Sequence, residues 1–326
     1  MDAPDGAELC FPQLFNASCK KPTRNHSEAL LFYFLILISA LTTALNLLLI
    51  IAISHFRQLH TTTNLILLSL GVSDFLVGLV VMPGDLMQTG TCWFSGDLIC
   101  ALYYFLLFII ISASAACMVL ISVDRYIAIC YPLHYTSKFT LYTVRIAVCL
   151  CWIYAVLVNL VLFNDNLRHP GKYNSCQGEC VVNISGELEL AFGFILPVSV
   201  IIVLHLRVFV VAVSQARAMR SHITIVKMKR SQTVAPKRSE LKAATTLGIV
   251  VAVFLMCYCP YYCVFLIGGK ILIGSDTEIL MAFLLYLNSC LNPLIYVFCY
   301  PWFRKAIRLI VTFRVMVPGS RDARIL

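Results

Sequence analysis

Four groups of residues in this chain carry chemistry that an apolar helix does not need. The densest is the run Asn288-Ser289, Asn292-Pro293 and Tyr296, followed by Tyr300, Trp302 and Phe303. A proline inside a helix frees a backbone carbonyl, and in lipid that group must be satisfied by side chains, water or a neighbouring helix. Asn288, Ser289 and Asn292 surround Pro293, so the run reads as a polar, bendable joint. Asp74 stands inside a second apolar stretch, where a carboxylate is costly and marks function by default. Ser114, Asn288 and Asn292 could offer oxygen ligands beside it, and a hydrated sodium ion or a proton would neutralise it. Asp124-Arg125-Tyr126 closes a third stretch. Arg125 can pair with Asp124 or reach Glu240, and either pair would hold helix ends together until it is released. The fourth group is a set of acids near the ends of apolar stretches, Asp85, Glu187 and Glu189, each able to counter a cation. Phe108, Tyr261, Tyr262 and Tyr286 could stack on or hydrogen-bond an ammonium.

These residues need long apolar helices to position them, and the composition supplies little else. With 60% hydrophobic and 13% charged residues the chain is no ordinary soluble domain. Seven stretches reach the roughly twenty residues that a helix needs to cross hydrocarbon: 29–53, 64–88, 98–130, 144–163, 188–213, 243–267 and 278–299. The expected fold is therefore an all-α membrane protein, a seven-transmembrane-helix bundle. Residues 1–28 form an N-terminal segment, 29–300 the bundle, and 301–326 a short amphipathic helix and tail. Arg304, Lys305 and Arg308 would lie on lipid head groups. The polar, acid-containing beginning shows no cleavable signal peptide, so the first span would act as the anchor.

Of the 25 Lys and Arg residues, Lys20, Lys21, Arg24, Arg168, Lys172 and Lys270 fall on the N-terminal side, and the other nineteen fall on the opposite side. That bias puts the N-terminus outside and the tail in the cytoplasm, at the plasma membrane. The net charge of +9 is then an orientation signal and not a nucleic-acid footprint. Sequons at Asn16, Asn25 and Asn183 lie on the expected outer side, as do Cys10, Cys19, Cys92, Cys100, Cys176 and Cys180. Their pairing is open on sequence grounds, although a Cys100–Cys180 bridge would tether the long loop after the fourth span as a lid. Pro197 and Pro260, each followed or preceded by rings such as Tyr258, suggest kinks that open a cavity wall. No internal repeats or paired broken helices point to a transporter. The seven histidines are scattered, without the convergent metal or nucleophile set that an enzyme needs.

Taken in order, Asn46, Asp74, Cys100, Asp124-Arg125-Tyr126, Trp152, Pro197, Phe254 with Pro260, and Asn292-Pro293-Leu294-Ile295-Tyr296 resemble the rhodopsin-like class of G-protein-coupled receptors over nearly the whole chain. Within that class, Asn288-Ser289-x-x-Asn292-Pro293-x-x-Tyr296-x-x-x-Tyr300-x-Trp302-Phe303 is similar to the fingerprint of trace amine-associated receptors, and Cys10-Phe11-Pro12 with Asn16-Ala17-Ser18-Cys19 resembles their N-terminus. The resemblance implies a Cys19–Cys176 bridge and leaves Cys10 and Cys92 unassigned. It also implies a small amine or diamine ligand, a heterotrimeric G protein of the stimulatory, cyclic-AMP-raising type, and olfactory use. A cofactor is not expected beyond the allosteric sodium ion. A receptor for a neutral or lipid ligand is the rival reading.

Three positions depart from that pattern. Amine receptors of the class carry an aspartate eighteen residues before the arginine of Asp-Arg-Tyr, five turns and about 27 Å farther out; here the position is Leu107. A buried alkylammonium still needs a negative partner. Glu189, eight residues before Pro197, is the expected one, and some fish members of the family resemble this arrangement. Glu187 lies about 200° around the helix, so both cannot face the pocket. Asp85, eleven residues beyond Asp74, should share its inward face unless Pro83 turns it away, and two acids on different spans would suit a diamine. Tyr258 replaces the family's tryptophan, and His205 a tyrosine. By the resemblance, Tyr286 stands beside the amine.

Overall fold

The computed structural model describes residues 8–14, 16–21, 26–226, 248–263 and 276–325. Among them, six helices are long and apolar enough to cross a membrane, and a shorter apolar helix covers Gly248–Cys263. The first span is α1 (His26–His55). The second is α2 (Thr62–Leu76) continued through a π turn, Val77–Val81, into α3 (Met82–Gly90). α4 (Asp97–Cys130) is the third span, and α5 (Pro132–Lys138) leads to the fourth, α6 (Leu141–Leu162). After α7 (Asn164–Arg168), the fifth span is built like the second. It comprises α8 (Gly186–Glu189), a π turn over Leu190–Ile195, and α9 (Leu196–Val226). α10 (Gly248–Cys263) and α11 (Asp276–Cys299) are the sixth and seventh, and α12 (Pro301–Val311) is the tail helix. The described residues contain no strand, only two isolated bridges joining the N-terminal segment to itself and to the loop after α7.

α4 lies centrally against α2, α6 and α9, while α1 packs on α2, α11 and α12. The core runs along this axis through Leu49, Leu70, Met118, Ile121, Phe254 and Tyr296. Thr61 and Thr140 cap α2 and α6 by accepting from the amides of Asn64 and Thr143, both at 3.2 Å.

Backbone groups freed inside the apolar layer find specific partners. Pro293 leaves the Ser289 carbonyl without its helical donor, and Asn46 Nδ2 donates to it at 3.0 Å. In the two π turns, Ser39 Oγ donates to Gly78 O at 2.7 Å and Tyr154 OH to Phe192 O at 2.9 Å.

One boundary differs from the sequence expectation. The fifth span was expected to end at 213 before a loop over 214–242; α9 instead continues to Val226, because that stretch carries no helix breaker to stop it. Residues 227–247, with Glu240 among them, lie outside the described residues. Beyond α12 the chain reverses at Phe313 and Gly319, both at positive φ, and returns beneath α1. Ile325 is 1% exposed there, its amide donating to Gln58 Oε1 at 3.1 Å, and Arg57 pairs with Asp322 at 3.3 Å.

Candidate ligand site and its polar core

Glu189 ends the first turn of the fifth span and is 6% exposed, whereas Glu187 is exposed. The half-turn between them decides which acid enters the bundle. Tyr262 of α10 donates its hydroxyl to Glu189 Oε1 at 2.6 Å. Its ring stacks on Phe194 at 4.4 Å and 13°, and Tyr258 stacks on Phe254 at 4.7 Å. Tyr261 meets Tyr262 edge-on at 5.1 Å. A continuous set of rings thus joins Glu189 to the core of the sixth span. Gly193 lies over the carboxylate: a Cβ there would fall 3.2 Å from Oε1 and 3.4 Å from the Tyr262 oxygen, so its absence keeps the space beside the acid open. Among the described residues no Lys, Arg or His lies within ion-pairing distance of Glu189.

At the end of the second span, Asp85 Oδ2 accepts from the Tyr286 hydroxyl of the seventh at 2.9 Å. Pro83 therefore does not turn Asp85 out of the bundle. Gly84 lets Tyr103 press against the helix, and that ring's hydroxyl donates to Val81 O at 2.9 Å. Leu107, 6% exposed, packs in one apolar cluster with Tyr286, Tyr103, Tyr104 and Phe108. Tyr286 thus finds its carboxylate on the second span, while the third-span position holds an alkyl group. A pocket of about 40 Å³ opens beside Asp85, walled by Met82, Leu86, Phe283 and Tyr286.

Deeper, Asp74 is fully buried and accepts from Ser289 Oγ and Asn292 Nδ2, both at 2.8 Å. Ser114 also hydrogen-bonds it. Asn288 is buried close by but is not among Asp74's hydrogen-bond partners, and Ser289 takes the donor position that the sequence suggested for it. Asn46 Oδ1, Asn288 Oδ1, Asn292 Oδ1 and the Tyr296 hydroxyl are buried without hydrogen-bond partners among the described residues. A carboxylate and unengaged amide oxygens are hard, oxygen-only donors, the chemistry that a hard cation such as sodium requires.

At the tail end of α4, Arg125 is clamped. Its Nε donates to Asp124 Oδ2 at 2.9 Å, its Nη2 donates to the same oxygen, and Nη2 also reaches Thr63 Oγ1 at 2.6 Å. Tyr135 of α5 donates to Asp124 Oδ1 at 2.9 Å. Tyr126 lies edge-on to Tyr131 at 5.8 Å. Thr63 and Tyr135 have no sequence signal, since threonines and tyrosines at helix ends are commonplace. Above, Trp152 Nε1 donates to Ser69 at 3.0 Å. His205 Nδ1 lies 3.1 Å from Ile201 O, a contact that requires the proton on Nδ1.

The opposite end is covalently stitched. Cys100 pairs with Cys180 and Cys19 with Cys176, and Cys10 pairs with Cys92. Residues 10–19, 176–180 and 92–100 with their bridges close one continuous ring. Gly178, at φ 102, makes room for Cys10, since a Cβ would fall 2.8 Å from that cysteine's own. Gln88 Nε2 donates to Cys180 O at 2.8 Å and to the Tyr104 hydroxyl at 2.5 Å, tying the ring to the wall around Asp85. Lys172, hydrogen-bonded to Asp165 at 2.8 Å in the same loop, holds that carboxyl below its ordinary range. Asn16 and Asn183 are exposed, and Asn25 lies outside the described residues.

Comparison with known proteins follows the same lines. The family model described as "7 transmembrane receptor (rhodopsin family)" matches residues 45–296. The chain is 37% identical to trace amine-associated receptor 13c of Danio rerio, covering 98% of this chain and 96% of that one. It is 34% identical to trace amine-associated receptor 1 of Mus musculus, over 91% and 93%, and 35% identical to trace amine-associated receptor 9 of Rattus norvegicus, over 96% of each.

Proposed function

The chain belongs to the rhodopsin family of seven-transmembrane receptors, and within it to the trace amine-associated receptors; from that premise we propose that it binds a small amine whose ammonium is held by Glu189. The observation that carries this reading is a buried carboxylate engaged, among the described residues, by one tyrosine hydroxyl beside a glycine gap. A desolvated acid of this kind gains most from a cation that brings its own donors. Tyr262 and Phe194 supply ring faces for the ligand's carbon skeleton and its charge. Leu107 removes the competing carboxylate of the third span.

An ammonium at Glu189 competes for the oxygen that Tyr262 now occupies, and any shift of that ring is felt along the stack to Tyr258 and Phe254 of the sixth span. Pro260, inside the same helix, gives it a place to bend. Movement of the inner end of the sixth span, with the Pro293 joint and Tyr296 beneath it, releases Arg125 from Asp124 toward a stimulatory G protein. In the resting bundle Asp74, Ser114, Asn288 and Asn292 would hold a sodium ion, which supplies countercharge to Asp74. The bias of Lys and Arg toward the tail side supports an extracellular N-terminus in a multi-pass plasma-membrane protein, with glycans at Asn16, Asn25 and Asn183. α12 rests on lipid through Arg304, Lys305 and Arg308. Olfactory use follows from the family.

The test is cyclic-AMP output of transfected cells across a panel of monoamines. Glu189→Gln is expected to raise the EC50 at least about a hundredfold, the scale of a buried charge left unpaired, with surface staining unchanged. Glu189→Asp retains part of the response. Undiminished potency in Glu189→Gln removes the ammonium from this site.

A further inference from the structure

We propose that residues 312–325 form an autoinhibitory strap, which holds α12 against the inner end of the first span and must let go for the seventh span to move. This rests on the reading of the chain as a receptor that signals through a G protein. The segment turns back on itself at two residues of positive φ, Phe313 and Gly319, and meets the short loop between α1 and α2. It grips the inner end of α1 and that loop at three points. Ser320 Oγ donates its one proton to Val315 O at 2.7 Å, so it accepts from His55 Nε2 at 3.0 Å. Asp322 pairs with Arg57 at 3.3 Å, and the Ile325 amide donates to Gln58 Oε1 at 3.1 Å. The Ile325 side chain closes the contact, entering the apolar cluster that holds Phe56 and Leu59 of the loop with Trp302, Phe303 and Ala306 of α12.

Two properties make this a releasable strap and not a fixed part of the core. The first is its strength. The ion pair is 66% and 65% exposed on its two partners, where such pairs contribute little, and neutral hydrogen bonds exchanged with water net little more. Ile325 is the one buried side chain among residues 312–325. A grip of this kind opens locally while the helices stay folded, because α12 keeps its own buried face of Trp302, Phe303 and Ala306. The second property is position. Only Tyr300 separates α12 from α11, and Arg304 Nη1 donates to Val297 O and Phe298 O at 2.8 and 2.9 Å. These bonds key α12 to the last turn of the seventh span, so the two move together. A swing of that turn about Pro293 carries α12 past α1, and a strap fastened to the loop after α1 opposes it. The docked strap therefore favours the inactive arrangement by the free energy needed to open it.

The experiment reads cyclic AMP without added amine, per receptor at the cell surface, together with chymotrypsin cleavage after the exposed Phe313 and Met316 in detergent-solubilised receptor. Ile325→Asp places a charge in the apolar cluster and is expected to speed cleavage at least about fivefold, since cleavage tracks the open population. It should raise basal cyclic AMP at least about threefold. Arg57→Asp and Asp322→Arg each set like charges face to face and should raise basal output about twofold, and the double exchange should return it to the wild-type level. That rescue separates release of the strap from damage to the loop, and it decides the matter if Ile325→Asp does not reach the surface. The proposal is overturned if Ile325→Asp is cut no faster than the wild type, if faster cutting leaves basal output unchanged, or if the double exchange signals like the single variants. Failure of the receptor reading itself appears elsewhere, as a wild-type chain that answers no amine.

Discussion

Asn46 illustrates how a single side chain holds two spans together in a medium that offers no water. Its Nδ2 donates both to Thr42 O at 2.9 Å and across to the Ser289 carbonyl that Pro293 has orphaned. Asn46→Leu keeps the volume and removes the donor, leaving a buried carbonyl unpaired at a cost of about 1–3 kcal/mol. The expected outcome is a lower thermal midpoint of the detergent-solubilised receptor, and an unchanged midpoint would mean that another group reaches Ser289. Residues of this kind are legible from sequence where lipid makes polarity conspicuous, as with Asp74, Asn46 and Asn292. Hydroxyl partners are less so. Thr63 and Tyr135 act on Asp124 only through the approach of α2 and α5 to the end of α4, which neither spacing nor residue type announces.

The spans themselves are legible because hydrocarbon forces each backbone to satisfy itself, and long apolar runs have no other solution. The π turns are not, since one extra residue per turn leaves no compositional trace. Their effect is large: an inserted residue rotates everything beyond it by about 100° relative to an unbroken helix. Asp85 reaches Tyr286 from beyond such a turn, and Glu189 stands at the start of another. In the second span the turn is seated by close contact with α1. A Cβ on Gly78 would fall 2.7 Å from Thr43 Oγ1 and 2.8 Å from the Thr43 backbone nitrogen. Gly78→Ala must push the two spans apart or reset the turn, for about 1–3 kcal/mol. A reduced thermal midpoint is the expected outcome. A variant that melts with the wild type would show that the first two spans have slack at this contact.

Across the whole molecule, the two ends of the bundle are closed by different means. The tail end relies on packing, with Ile325 tucked under α1 and Arg125 clamped by Asp124 and Thr63. The other end relies on covalent bonds: the sequence suggested the Cys100–Cys180 tether and the family resemblance the Cys19–Cys176 bridge, but neither paired Cys10 with Cys92, because that pairing depends on which loops the assembled bundle brings together. Replacing Cys10 and Cys92 together by serine opens the ring while leaving the other two bridges. It should cost at most the 2–4 kcal/mol typical of a native disulfide and make residues 10–19 the first site of limited proteolysis; cleavage elsewhere first would show that the remaining tethers suffice. The ring has one further consequence, which concerns biosynthesis. Cys19 is made 157 residues before Cys176, and it cannot find that partner until the four spans between them have been made and inserted. Throughout that interval Cys19 lacks its native partner, so closure of the ring is the last covalent step of assembly at that end and waits on synthesis of the fourth span.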